Sequence, residues 1–214
     1  MNNKSILAFA LCSIAGMSNA NAATLFTDEI SFLNTLLFPT LEDFETAPSP
    51  SIPGGTAAFP SFSSQGVLYT QGSGGNLFSV DGTGVFPVSG IAIFDELTNT
   101  DIQLDFDTPV VAVGGFVASA FPTTSDTNVE VFLEIAGTIA SINLTDSDNH
   151  FIGIIDTNGF SSASFYDLDP NTNFGLDNVS FATSVVPVPA AVWLFASGLL
   201  GILGLIRRKT TTAT

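Results

Sequence analysis

The chain has 214 residues, with 20 acidic and 4 basic side chains and a formal net charge of -16. The basic residues are Lys4, Arg207, Arg208 and Lys209, whereas every Asp and Glu falls between Asp28 and Asp177. The stretch between the basic ends therefore has nothing to neutralise phosphate, which excludes nucleic-acid binding, and it lacks a basic patch for anionic lipid or acidic polysaccharide unless divalent cations bridge the two.

At the N-terminus Lys4 precedes an apolar run from Ile6 to Met17, and Ala20-Asn21-Ala22 supplies the small residues signal peptidase requires. This predicts a signal peptide over 1–22, cleaved after Ala22, and an exported product. The one cysteine, Cys12, follows Leu11 inside the apolar run, which argues against a lipoprotein site. The mature chain then has no disulfide, thiolate metal site or cysteine nucleophile.

Residues 23–184 are long enough for one domain with a full core. One short helix is expected near its start: Thr27 can cap it, Asp28 and Glu29 suit its positive end, and Ile30, Leu33 and Leu37 share a face. Beyond it the apolar period is two, as in Ile102, Leu104 and Phe106 or Val129, Val131 and Leu133. Strands are predicted over 41–46, 67–71, 76–80, 91–94, 102–106, 110–117, 129–133, 138–144, 151–155, 161–166 and 176–182. Gly-Ser-Gly-Gly at 72–75, Asp81-Gly82, Asp107-Thr108-Pro109 and Asn158-Gly159 separate several of them, and 47–64, rich in Pro, Ser and Gly, reads as a long loop. So many short strands without crossover helices predict an all-β, antiparallel two-sheet sandwich of jelly-roll type.

The C-terminal segment has three parts in order. Pro187-Val188-Pro189 precedes an uncharged, largely apolar run over 190–206, and Arg207-Arg208-Lys209 closes it. As a helix rising about 1.5 Å per residue the run would reach about 25 Å, at the short edge of a transmembrane span, and the cations would mark its cytoplasmic end. This order resembles the PEP-CTERM sorting tail of Gram-negative bacteria that make exopolysaccharide. The resemblance covers 185–214 and implies delivery to an exosortase that cuts near the proline motif. It further implies an inner-membrane anchor with the domain in the periplasm, followed by release to the cell surface or extracellular matrix. The family's central Glu is Val188 here, which leaves the cleavage point open; a plain uncleaved anchor is the alternative.

Two further segments, Asp43-Phe44-Glu45 and Gly175-Leu176-Asp177-Asn178-Val179, resemble the frame of exported jelly-roll modules, several carbohydrate-binding families among them. In those families a Glu and an Asp at these places share a structural calcium. The resemblance thus implies Glu45 and Asp177 as calcium ligands, with main-chain carbonyls completing the six to eight oxygens calcium takes. Without the ion, Glu45 would cap a turn and Asp177 would bond locally. A second acidic run, Asp167 to Asn173, lacks the Gly and Glu of a calcium loop at Thr172 and Asn178, and reads as a solvated turn.

Catalytic signals are sparse. The one His, His150, has no nucleophile elbow to pair with, and a zinc centre needs more His or Cys than the domain holds. Glu130 and Glu134, four residues apart on one strand face, are separated by about 13 Å along the strand, beyond the spacing of glycosidase carboxylate pairs. The only Trp, Trp193, falls in the apolar tail, so an exposed Trp platform for sugars is absent. These features predict a non-enzymatic surface or matrix protein; the resemblance of the tail implies delivery and processing by an exosortase, with signal peptidase and the inner membrane as further partners. The alternatives are a calcium-assisted module binding exopolysaccharide and a secreted, carboxylate-dependent glycoside hydrolase.

Overall fold

The computed structural model describes residues 23–48, 56–72, 75–81, 90–94, 101–120, 129–144, 149–168 and 173–186. In chain order these form β1 (Thr24–Phe26), α1 (Glu29–Leu33), β2 (Thr40–Glu42), β3 (Thr56–Phe59), β4 (Ser61–Ser64), β5 (Val67–Gln71), β6 (Leu77–Asp81), β7 (Ile91–Phe94), β8 (Asp101–Ala120), β9 (Val129–Ile135), β10 (Thr138–Leu144), β11 (His150–Asp167) and β12 (Asn173–Ala182). The fold is all-β and every pairing between these strands is antiparallel. Both residues of the Gln65-Gly66 and Ala136-Gly137 turns have positive φ, the geometry that lets a two-residue loop follow strand twist, and they close the β4–β5 and β9–β10 hairpins.

The expected pair of separate sheets is not what forms. All twelve strands belong to one hydrogen-bonded sheet, with the path β10-β9-β11-β8-β12-β7-β6-β3 and with β1, β2, β4 and β5 branching from it. The reason lies at two presumed turns. Asp107-Thr108-Pro109 lies inside β8, and Asn158-Gly159 lies inside β11, where the register against β8 shifts between Ile155 and Phe160 and again between Phe160 and Ser162. Bulges of this kind bend paired strands and carry them from one layer to the other without ending them.

Each long strand therefore serves two arms. In the first, the front of β11 pairs with β1 and the back of β8, and β8 pairs with β12. In the second, the back of β11 pairs with β9 and the front of β8, and β8 pairs with β5. Side chains from both arms meet in one apolar cluster: Val113, Val117, Ile152, Ile154, Phe174 and Leu176 from the first, and Ile102, Leu104, Val131, Leu133, Ile135 and Phe165 from the second.

A smaller cluster of Phe32, Leu36, Ala112, Phe151, Ile155 and Ala182 covers the other face of the first arm. Asp28, not Thr27, caps α1: its Oδ1 accepts a hydrogen bond from the Ser31 N–H at 2.8 Å, and the Ser31 side chain, with this N–H second, holds its carboxyl below the usual range. The helix buries Phe32 and leaves Ile30 exposed, so its buried face is rotated from the expected Ile30, Leu33 and Leu37 stripe. The paired glycines Gly114 and Gly153 make room for this layer. A Cβ on Gly153 would stand 3.0 Å from Phe32 Cδ2, and one on Gly114 would stand 2.6 Å from Phe151 Cζ.

Other boundaries differ in smaller ways. The predicted loop 47–64 contains β3 and β4, β1 was not foreseen, and the first predicted strand stops at Glu42 because Phe44 turns to φ 57. Among the described residues no helix is long and apolar enough to cross a membrane; the expected span 190–206, the signal peptide 1–22 and the motif residues Pro187, Val188, Pro189, Arg207, Arg208 and Lys209 lie outside them.

Candidate functional site

One edge of β12 changes partner midway. Gly175 and Leu176 pair with β7, Val179 to Phe181 pair with β2, and between them Asn178 adopts φ 49. On the opposite edge the register against β8 shifts over the same residues, between Asp177 and Ser180. Asp177 therefore sits at a bulge, where a carboxylate can leave the regular pleat.

The chain leaving β2 fills this break. Glu42 is buried and one of its oxygens accepts the Phe44 N–H at 2.8 Å, while the Phe44 ring packs edge-on against Tyr69 at 5.1 Å in the main core. With Phe44 anchored inward, Asp43 and Glu45 on either side remain exposed. Asp43 Oδ1 accepts the Glu45 N–H at 3.2 Å, and Glu45 Oε1 accepts the Ile91 N–H at 2.9 Å, tying this turn to the start of β7. Gly90, at φ 95, has no side chain in the space the Glu45 carboxylate occupies.

Asp177 is 1% exposed. One oxygen accepts the Asn178 N–H at 2.7 Å and the other the Asn178 amide at 3.2 Å. Burial pushes its carboxyl up to about 7; the Asn178 N–H works against this, and the nearby charges of Glu45 and Asp43 add to it. The two residues singled out in the sequence, Glu45 and Asp177, are thus close enough to repel, with Asp43 as a third partner.

Calcium takes hard oxygen donors, and a buried carboxylate beside like charges is a stress that a divalent cation would relieve. Yet among the described residues no three His, Cys, Asp or Glu side chains are arranged to hold a metal ion, and one Glu45 oxygen and both Asp177 oxygens already accept protein hydrogen bonds. The pair fits a cation only as a two-carboxylate contact completed by main-chain carbonyls.

Glu42 and Gly90 escaped the sequence reading. The period of two puts Glu42 on the same side as Phe44, and that was the available signal for a buried acid. Burial of Tyr69 pushes its phenol up and the charge of Glu42 adds to this, and the Tyr69 hydroxyl has no hydrogen-bond partner among the described residues.

The other candidates stay apart. Glu130 and Glu134 lie on the outer face of β9, with Phe132 between them stacked on Tyr166 at 5.2 Å. The Tyr166 hydroxyl lies 3.4 Å from Glu134 Oε2, and burial and that carboxylate raise its pKa. His150 opens β11 opposite Val117, and Asp167 ends that strand buried. Asp146, Asp148 and 169–172 lie outside the described residues.

No protein-family model matches the chain, and no curated protein matches it. Three solved structures show a distant likeness. A family two carbohydrate esterase from Cellvibrio japonicus shares 11% identity over 71% of this chain, with a TM-score of 0.30. The catalytic unit of a GH87 α-1,3-glucanase from Streptomyces thermodiastaticus shares 9% over 70%, with a TM-score of 0.36. TmCBM61, solved with β-1,4-galactotriose, shares 9% over 66% of this chain and 94% of its own, with a TM-score of 0.27. The chain spans 36% and 27% of the first two proteins.

Proposed function

We propose that the chain is an exported, non-enzymatic surface or matrix protein whose antiparallel β-domain is held at the inner membrane by 190–206 and then delivered by an exosortase. The observation that carries this reading is the ordered tail: Pro187-Val188-Pro189, the uncharged run, then Arg207-Arg208-Lys209, with no other Lys or Arg after Lys4. That distribution leaves the orientation signal at one end of the span. Glu130 and Glu134 lie four residues apart along one strand, a placement that speaks against this pair as the two carboxylates of a glycosidase.

Protease shaving of intact cells of the native host tests this reading. The domain should be accessible at the surface when the exosortase is present and protected when it is absent. Equal accessibility in both cells would remove exosortase delivery from the account.

A second reading, a calcium-assisted module for exopolysaccharide, has one specific support in the carboxylate convergence at Asp177, Glu45 and Asp43. Retention of the protein on the host polysaccharide in calcium but not in chelator would favour it; equal retention, or none, would count against it.

A further inference from the structure

We infer that the face around the C-terminal exit of the domain is seated in the headgroup layer of the bilayer, with Phe38 as its principal anchor. The inference rests on the reading of 190–206 as a membrane span.

The exit strand is fastened to the N-terminal segment. Leu37 donates its N–H to the Ser184 carbonyl at 3.1 Å, Val186 donates to the Thr35 carbonyl at 2.8 Å, and Leu36 bridges Val185. Free chain therefore begins no earlier than Pro187. From Val186 to Ala190 there are four peptide steps, which reach at most about 14 Å when fully extended. The headgroup layer occupies about 5–8 Å on each side of the hydrocarbon core, so the exit edge of the domain cannot move far from the lipid surface. A tether this short gives a high effective concentration, and a weak surface contact is then sufficient.

Near that edge one large apolar side chain, Phe38, stands exposed among polar neighbours. Among the described residues the exposed large apolar side chains are Leu25, Ile30, Phe38, Leu41, Leu68, Ile139, Leu168 and Val186. Five of these eight belong to the N-terminal segment or to the exit strand bonded to it. Phe38 is the extreme case, 93% exposed and held at φ 51, a conformation that costs a bulky residue strain. It lines a cleft with Thr183, Thr40, Gln65 and Asp107, three residues before the chain's exit at Val186. An exposed Phe ring can bury its apolar surface at the boundary between headgroups and acyl chains, as Phe and Leu do on interfacial segments. With Asp107 in the cleft and no Lys or Arg in the domain, charge does not draw this face to anionic lipid; the contact is apolar and suits zwitterionic headgroups. Seating of this kind would hold Pro187-Val188-Pro189 at the bilayer surface, where a membrane-embedded processing enzyme could reach it.

The test uses the full chain in phosphatidylcholine vesicles, with and without lipid brominated near the headgroup end of its acyl chains. Trp193 is the only Trp. A Trp193→Phe background therefore allows one reporter at a time: Phe38→Trp near the exit, and Ile139→Trp on β10 of the other arm as control. Quenching several-fold stronger for Phe38→Trp than for Ile139→Trp is expected. Equal weak quenching, while wild-type Trp193 is quenched by deeply brominated lipid, would overturn the seating and leave the span standing. Failure of Trp193 itself to be quenched would overturn both. Protection of Phe38→Trp from aqueous acrylamide without quenching by brominated lipid would overturn the seating and assign the face to a second copy of the chain. An environment-sensitive dye on Phe38→Cys, in chain processed at Ala22 and so free of Cys12, gives a second readout should the Trp variant fold poorly.

Discussion

Replacing Asp177 by Asn should remove a pH dependence that the wild-type domain carries. The Asp177 carboxyl is pushed up to about 7 from 3.8, so in the folded state it holds a proton that the unfolded chain releases between those values. The native state then binds more protons than the unfolded state, and stability falls as pH rises. The contribution is complete below about pH 4, declines through the interval and is lost above about pH 7. A shift of about three units corresponds to about 4 kcal/mol. Between pH 5 and pH 8 the wild type should lose about 3 kcal/mol, or roughly 6–12 °C in Tm for a domain of this size. Asn mimics the protonated acid, so Asp177→Asn should match wild type near pH 4 and exceed it by up to about 4 kcal/mol at pH 8. Thermal melts of the detergent-solubilised full chain, followed by far-UV circular dichroism in chelator, measure both. A variant with the same pH slope as wild type would refute the reasoning. Adding Ca²⁺ at pH 8 extends the experiment: a shared two-carboxylate site predicts a rise in Tm for wild type and none for Asp177→Asn. Unchanged wild-type melts would remove calcium while leaving the argument about the buried acid intact.

Further substitutions probe the core. Tyr69→Phe deletes a buried hydroxyl without a hydrogen-bond partner among the described residues, and should be neutral or stabilise by about 1 kcal/mol in urea titrations; a marked loss would show that the hydroxyl is satisfied. Gly153→Ala places a methyl 3.0 Å from both Phe32 Cδ2 and Phe151 Cε1, and should cost roughly 1–3 kcal/mol through displaced rings; an unchanged midpoint would show that α1 is not packed as described.

The period of two was enough to locate the central strands. β5 and β10 lie where alternation and turn residues put them, because each has an ordinary length and follows an exposed two-residue turn. Alternation does not distinguish a turn from a bulge, however. Pro109 and Gly159 are proper turn residues, yet β8 and β11 continue past them because each has a partner on the far side of the bend. Two presumed sheets thus become one. The short strands β1, β3 and β4 were hidden for a different reason. They carry little apolar alternation, and β3 and β4 owe their conformation to pairing with β6 and β5. At the candidate site the sequence supplied Glu45 and Asp177 through a resemblance. The convergence of Asp43 on Asp177 and the support from Glu42 and Gly90 required the three-dimensional arrangement, since β2, β7 and β12 are distant in sequence.

The most direct test of the sorting account is the intact mass of the surface-displayed protein from its native host, compared with the species that accumulates without the exosortase. The account predicts a surface species beginning at Ala23 and ending near Pro187 to Ala191, and a membrane-bound precursor that retains Arg207, Arg208 and Lys209 when the enzyme is missing. A surface species that keeps those three residues, or a membrane species of the same mass in both cells, would contradict it.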